Sequence, residues 1–194
     1  NTVQLLGQQD QATAVTGDIV VLAVPYAALS SIVAERGASL AGKVVVDITN
    51  PLDFETFDAL LVPADSSAAA ELAAALPDAR VLKAFNTNFA GTLAAGTIGS
   101  NETTVLVAGD DAEAKSQLAG VLASGGVKAI DAGSLKRARE LEAVGFLQLT
   151  LAAGEKLSLP VKHTTGRWFA PPELLEQVEA AGQVTLRYAD GTNP

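Results

Sequence analysis

The chain contains no cysteine and no methionine, and among its 194 residues it has one histidine, His163, and one tryptophan, Trp168. Without cysteine there is no disulfide, no thiolate metal ligand, no Cys-X-X-Cys redox pair and no cysteine nucleophile. With a single histidine, a zinc site would rest on carboxylates almost alone, against the metal's preference for nitrogen and sulfur ligands. The same shortage removes a Ser-His-Asp triad, because the lone imidazole lies in a segment apart from the candidate strands. No metal ligands are expected. Long apolar runs are missing too. The longest, Val144–Ala153, is interrupted by Gln148 and Thr150 and is too short to span a bilayer. No signal-peptide pattern is visible. Basic excess is absent: the net charge is -9, and an acidic body repels nucleic acid and anionic membrane. These exclusions leave a cytoplasmic protein that binds small molecules, with neither nucleic acid nor membrane as partner. The missing initiator and the turn-like Asn193-Pro194 lead us to expect that both ends are cut.

What is present points to a packed α/β body. Hydrophobic residues make up 48% and charged residues 18%, which is a globular balance. Short apolar runs, Ile19–Val24, Val44–Ile48, Val81–Phe85, Thr103–Ala108 and Val127–Ile130, alternate with helical stretches at Ala27–Glu35, Ser66–Ala75, after Asp110-Asp111, and over Leu135–Lys156. Strands apolar on nearly every residue and separated by helices predict a parallel sheet covered on both faces, a doubly wound Rossmann-like fold. Ser66 or Asp65 is the expected cap of the alanine-rich helix, and Ser134 that of the last one. Leu141, Val144, Leu147 and Leu151, with Phe146 and Leu149 outside that stripe, predict a last helix buried in a large core or an oligomer interface, hence a homodimer. Glu140 and Glu142 with Arg137 and Arg139 read as a solvated charged turn. Composition shifts after Lys156, so the chain divides into a body, residues 1–156, and a tail, residues 157–194.

Three strand ends carry the chemistry. Ile19–Val24 runs into Pro25-Tyr26, Val44–Ile48 into Thr49-Asn50-Pro51, and Val81–Phe85 into Asn86-Thr87. A parallel sheet binds ligands outside the carboxyl ends of its strands. Amides and a hydroxyl there suit a ribose or carboxamide, and a proline gives a rigid wall beside a flat ring. Each has a plainer reading: a strand terminator at Pro25, an Asx turn at Asn50, a packed Phe85 followed by a turn at Asn86. Asp47, at a strand end, needs a partner if buried. No acid, base or nucleophile stands out, so no catalytic residue is expected. No Gly-X-Gly-X-X-Gly, the loop that seats a dinucleotide pyrophosphate, follows any strand.

Five segments in order, Asp18–Tyr26, Val44–Leu52, Lys83–Thr87, Val107–Asp111 and Asp131–Glu142, resemble the NADPH-dependent reductases of coenzyme F420. The resemblance spans about residues 1–156. It implies NADP and coenzyme F420 as cofactors and reversible hydride transfer between them. It implies that Ala23, Val24, Pro25 and Tyr26 border the nicotinamide, and that Asn50, Pro51, Asn86 and Thr87 line the nicotinamide and deazaflavin side. It also implies that the first strand, glycine-rich loop and helix precede this chain, leaving an exposed, association-prone sheet edge.

The tail is similar to another family. Leu159–Phe169, Glu179–Tyr188 and Asn193-Pro194 resemble the glutaminase subunit of phosphoribosylformylglycinamidine synthase. That family's catalytic histidine would fall on His163, but Thr165 stands where an acidic partner is expected and no cysteine nucleophile exists. Glutaminase activity is therefore not expected. The alternatives to a working reductase domain are an inactive fragment or fusion product, or part of a purine-biosynthesis amidotransferase.

Overall fold

The sheet owes its position to three consecutive valines. Val44, Val45 and Val46 are all fully buried, which needs cover on both faces, because successive side chains in a strand point to opposite sides. Val45 packs with Leu22, Leu29, Leu72 and Val81 on one face. Val44 and Val46 pack with Leu82, Val105, Val107 and Leu118 on the other. The structure, a computed structural model, describes residues 2–10, 12–150 and 172–180. In chain order it has β1 (Ile19–Leu22), α1 (Leu29–Arg36), β2 (Val44–Asp47), α2 (Ala68–Ala75), β3 (Arg80–Lys83), α3 (Ala90–Ala95), the short strands β4 (Thr97–Ile98) and β5 (Asn101–Glu102), β6 (Thr104–Gly109), α4 (Ala112–Ser124), β7 (Lys128–Gly133), α5 (Ala138–Thr150) and α6 (Pro172–Ala180). Helices α1 and α2 supply the first core, and α4 the second.

Five strands form one sheet in the order β1-β2-β3-β6-β7. The Rossmann-like α/β class expected from the sequence is the one observed, with one difference. The sheet is mixed: β1, β2 and β3 are parallel, β6 is antiparallel to β3, and β7 is parallel to β6. The cause lies between β3 and β6. A parallel continuation needs a crossover back to the starting end of the sheet. Here the connection is α3 and the β4–β5 hairpin, which return the chain beside β3 in the opposite direction. Gly109 permits the close approach of the two strands, since a Cβ there would collide with the Leu82 side chain.

Local capping departs from the sequence reading in two places. Ser67, not Ser66 or Asp65, caps α2, its hydroxyl accepting from Ala70 N at 3.0 Å. Ser134 makes no side-chain cap; Asp110 instead accepts from Leu135 N at 2.9 Å across the loop. Asp111 caps α4 by accepting from Ala114 N at 2.8 Å, as its place before the helix implies. The last helix opens with a 3-10 turn, Leu135–Arg137. Val144, assigned to its apolar stripe, is exposed, as is Leu149. The chain divides into two compact units at Thr150/Leu151. Of the second, only α6 is described. The expected boundary near residue 156, the tail motifs, His163 and Trp168 lie outside the described residues.

Candidate functional site

The three parallel strands stop flush. Leu22, Asp47 and Lys83 are Cα partners across β1, β2 and β3. Pro25, Asn50 and Asn86 each follow three residues later, so they share one edge of the sheet. Ala23 and Pro25 are exposed there, Val24, Tyr26, Asn50 and Thr87 are half-buried, and Pro51 and Asn86 are buried. Pro25 has φ -60° and ψ 148°, the extended conformation its ring prefers, and leads into a 3-10 turn. The edge contains a strained residue. Phe85 has φ 64°, and Asn86 N donates to Ala84 O at 2.9 Å, a γ-turn of the rare positive-φ kind. A bulky residue held this way costs about 1–3 kcal/mol, and such strain clusters at functional sites.

The structure brings Asn50 and Asn86 together. Asn50 Nδ2 donates to Asn86 O at 2.9 Å, and Asn86 Nδ2 donates to Asn50 Oδ1 at 3.0 Å and to Leu141 O at 2.8 Å. Gly145, one turn along α5 from Leu141, faces the pair, because a Cβ there would collide with Asn50 Oδ1. One turn further, Gln148 Nε2 donates to Thr87 O at 3.2 Å. The amide donors are thus engaged with the protein. Thr49 Oγ1 and Asn86 Oδ1 are buried without a partner among the described residues, a state that calls for a water or ligand. Tyr26 belongs to the neighbouring strand end, and its hydroxyl donates to Glu71 Oε2 at 2.7 Å. Burial, then the Glu71 hydrogen bond, then the nearby charges of Glu142 and Asp47 push its phenol up to about 12.

Behind the edge lies a charged cluster with no side-chain exposure. Lys83 Nζ donates to Asp47 Oδ2 at 2.8 Å, to Glu142 Oε1 at 2.8 Å and to Thr49 O at 2.6 Å. Asp47 Oδ1 accepts from Thr49 N at 2.8 Å. Glu142 also accepts from Ala68 N at 3.0 Å and Ala69 N at 3.4 Å, two N-terminal donors of α2 that have no partner within the helix. Two carboxylates face one ammonium, and the positive end of α2 offsets the surplus charge. Burial raises the Glu142 carboxyl above its usual value, against the pull of Lys83 and the Ala68 N–H. This corrects the sequence reading of Glu142 as part of a solvated turn. The exposed pair in that turn is Arg137–Glu140, at 2.9 Å.

Residues 2–51 match the family model described as NADP oxidoreductase coenzyme F420-dependent. The chain is 32% identical over 151 residues to the F420-dependent NADP reductase of Methanocaldococcus jannaschii, covering 76% of this chain and 67% of the reductase. The chain belongs to this family. A solved structure assigned as an F420-dependent NADP reductase from Arthrobacter sp. FB24 superposes with a TM-score of 0.63 and 32% identity, over 69% of this chain and 63% of that one. The similarity to phosphoribosylformylglycinamidine synthase subunit PurQ is confined to 43 residues, 51% identical to the Chelativorans sp. protein, which is 22% of this chain and 19% of that subunit.

The family is one of NADP-dependent oxidoreductases, and its name carries both cofactors, NADP and coenzyme F420. The edge offers a flat ring a rigid proline wall and exposed Ala23. For the pyrophosphate half of NADP, the chain has no glycine-rich loop after a strand. Two open depressions, of about 480 and 300 Å³, lie at the amino ends of the strands, one beside Asp18, Lys43 and Arg80, the other beside Gly37 and Leu76. Among the described residues no group of three or more His, Cys, Asp or Glu is placed to hold a metal ion, and no helix is long and apolar enough to cross a membrane. Lys83, Glu142 and Gly145 are the site residues that reasoning from sequence missed. Lys83 left a signal: a lysine in the apolar run Val81–Phe85 must find a carboxylate if that strand is central. Asp47 carries the matching one.

Proposed function

We propose that the edge formed by Ala23–Tyr26, Asn50-Pro51 and Asn86-Thr87 is the ring-binding lip of a domain for hydride transfer between NADPH and coenzyme F420. The observation that carries this reading is the register: Leu22, Asp47 and Lys83 are level, so the three segments beyond them line one edge, in a chain that belongs to the reductase family. Bound there, the two cofactors supply the donor and acceptor carbons, and the hydride step needs no protein acid or base. The chain's contribution would be positional: Ala23–Tyr26, Asn50-Pro51 and Asn86-Thr87 would hold the cofactors for the transfer. Pro25 has no N–H to compete for the ring, and Ala23 leaves room beside it.

In this reading residues 1–156 form a partial NADP-binding Rossmann-type domain and residues 157–194 a separate tail. The protein works in the cytoplasm as a homodimer; Val144 and Leu149, exposed on α5, support an interface. Lacking a glycine-rich loop, the chain binds whole NADP weakly or not at all. The test uses nicotinamide mononucleotide, a probe that does not need the loop's grip on a dinucleotide. Titrated into 15N-labelled protein, it should shift the amides of Ala23, Val24, Asn50 and Thr87. Shifts confined to the amino-end depressions, or no shifts at millimolar probe, refute the lip. Micromolar NADPH affinity by fluorescence would contradict the weak-binding expectation.

A further inference from the structure

Three fully buried charges are an expensive way to stabilise a core. A well-packed apolar trio of similar volume is often as stable or more so, because each ion must be stripped of water. The Asp47–Lys83–Glu142 cluster supplies direction instead. Two of the bonds that hold the Thr49 turn run through it. The ammonium binds Thr49 O, and Asp47 binds Thr49 N, so the turn that carries Asn50 is held from both its polar groups. On the other side, adjoining residues of α5 grip two residues of the β3 segment: Glu142 takes Lys83, and Leu141 O takes Asn86 Nδ2. That grip brings Gly145 against the amide pair with no room for a side chain. Glu142 simultaneously closes the N-terminus of α2, so one carboxylate ties two helices to the strand tips.

We propose that Lys83, held between Asp47 and Glu142, is a positioning residue that sets the Asn50–Asn86 amide pair against α5 and thereby fixes the edge over which the nicotinamide lies. The last clause rests on the ring-binding reading above; the setting of the amide pair does not. Lys83 acts only through the groups it holds, and it touches no cofactor.

The experiment measures hydrogen exchange of the Asn50 and Asn86 side-chain amides in the full 15N-labelled chain, referenced to the backbone amides of Val45 and Leu82. The variants are Asp47→Asn and Glu142→Gln, which keep shape and remove charge. A third variant joins them to Lys83→Met, so that no buried ion is left unpaired and the fold is kept even where a single change unfolds it. The expected result is exchange of Asn86 Nδ2 faster by about tenfold, the worth of one such hydrogen bond, with Val45 and Leu82 unchanged. Nicotinamide mononucleotide affinity should weaken by a similar factor. Exchange within twofold of wild type in a folded variant overturns the proposal, and so does uniform acceleration of core and lip together, the mark of plain destabilisation. Unchanged probe affinity despite faster lip exchange also overturns it. A wild-type protein that never binds the probe refutes the ring-binding reading alone, while the exchange data still decide whether Lys83 positions the pair.

Discussion

Replacing Gly145 with alanine should destabilise the protein, although the same change in a free helix stabilises it. In a helix interior alanine is favoured over glycine by about 1 kcal/mol. At Gly145 the added methyl meets Asn50 Oδ1 in a hard collision and comes within 3.1 Å of Asn86 Nδ2. Overpacking of this kind costs about 1–3 kcal/mol. Moving Asn50 also removes the Asn86–Asn50 bond, worth about 0.5–1.5 kcal/mol. The losses exceed the gain, and the net effect is a destabilisation of about 1–3 kcal/mol. Gly120 in α4 provides the internal control, since a Cβ there meets nothing within 4 Å; Gly120→Ala should stabilise by about 1 kcal/mol. Urea unfolding followed by far-ultraviolet circular dichroism gives both numbers, with the slope checked for constancy. If G145A proves as stable as wild type or more so, α5 does not sit on the amide pair and the described lip is wrong.

Other outcomes follow from the same geometry. Lys83→Met strands two buried carboxylates and should cost about 3–5 kcal/mol, read as a fall in the urea midpoint. Ser67→Ala removes the α2 cap and should cost about 1 kcal/mol in the same assay. Because burial raises the folded-state pKa of Glu142 above 4.5, the folded state holds that proton longer than the unfolded chain. Stability from this group is therefore highest below pH 4.5 and declines as pH rises through the raised value. Wild type should lose ground against E142Q over that window in unfolding experiments at stepped pH; a gain would refute the burial argument. Tyr26, observed alone by ultraviolet titration in a Tyr188→Phe background, should ionise near 12, and Glu71→Gln should bring that midpoint down.

How much was legible beforehand depends on the range of the interaction. The strand Val44–Val46 declared itself through an unbroken apolar run, because burial on both faces favours apolar residues at every position; Val81–Phe85 did so with Lys83 as its one polar exception. The helix after Asp110-Asp111 was equally legible, and Asp111 caps it, because capping is decided within three residues. The lip residues Pro25, Asn50 and Asn86 were found from their place at strand ends. Their use was not: Asn86 donates to Leu141 O, 55 residues away, and nothing local marks that partner. Glu142 looked like one more charge in an Arg-Glu-rich turn, yet it is buried where α2 delivers donors to it across 73 to 74 residues of chain and β3 delivers Lys83. The antiparallel entry of β6 was equally hidden, since strand direction depends on how a connection is routed rather than on the strand's own composition.

By itself the amino-acid order determined the five strands of the main sheet and the helices between them apart from α3, the α/β class, the exclusion of thiol chemistry, and the three segments that end at strand tips. These follow from side-chain periodicity, turn chemistry and composition, all of which act over a few neighbours. Only the tertiary structure decided that β6 and β7 run against the other strands, that two asparagines pair beneath Gly145, and that Lys83 stands between Asp47 and Glu142. Those arrangements join residues far apart in the chain. Once out of water, each polar group must find a partner, and which partner it finds is a matter of packing.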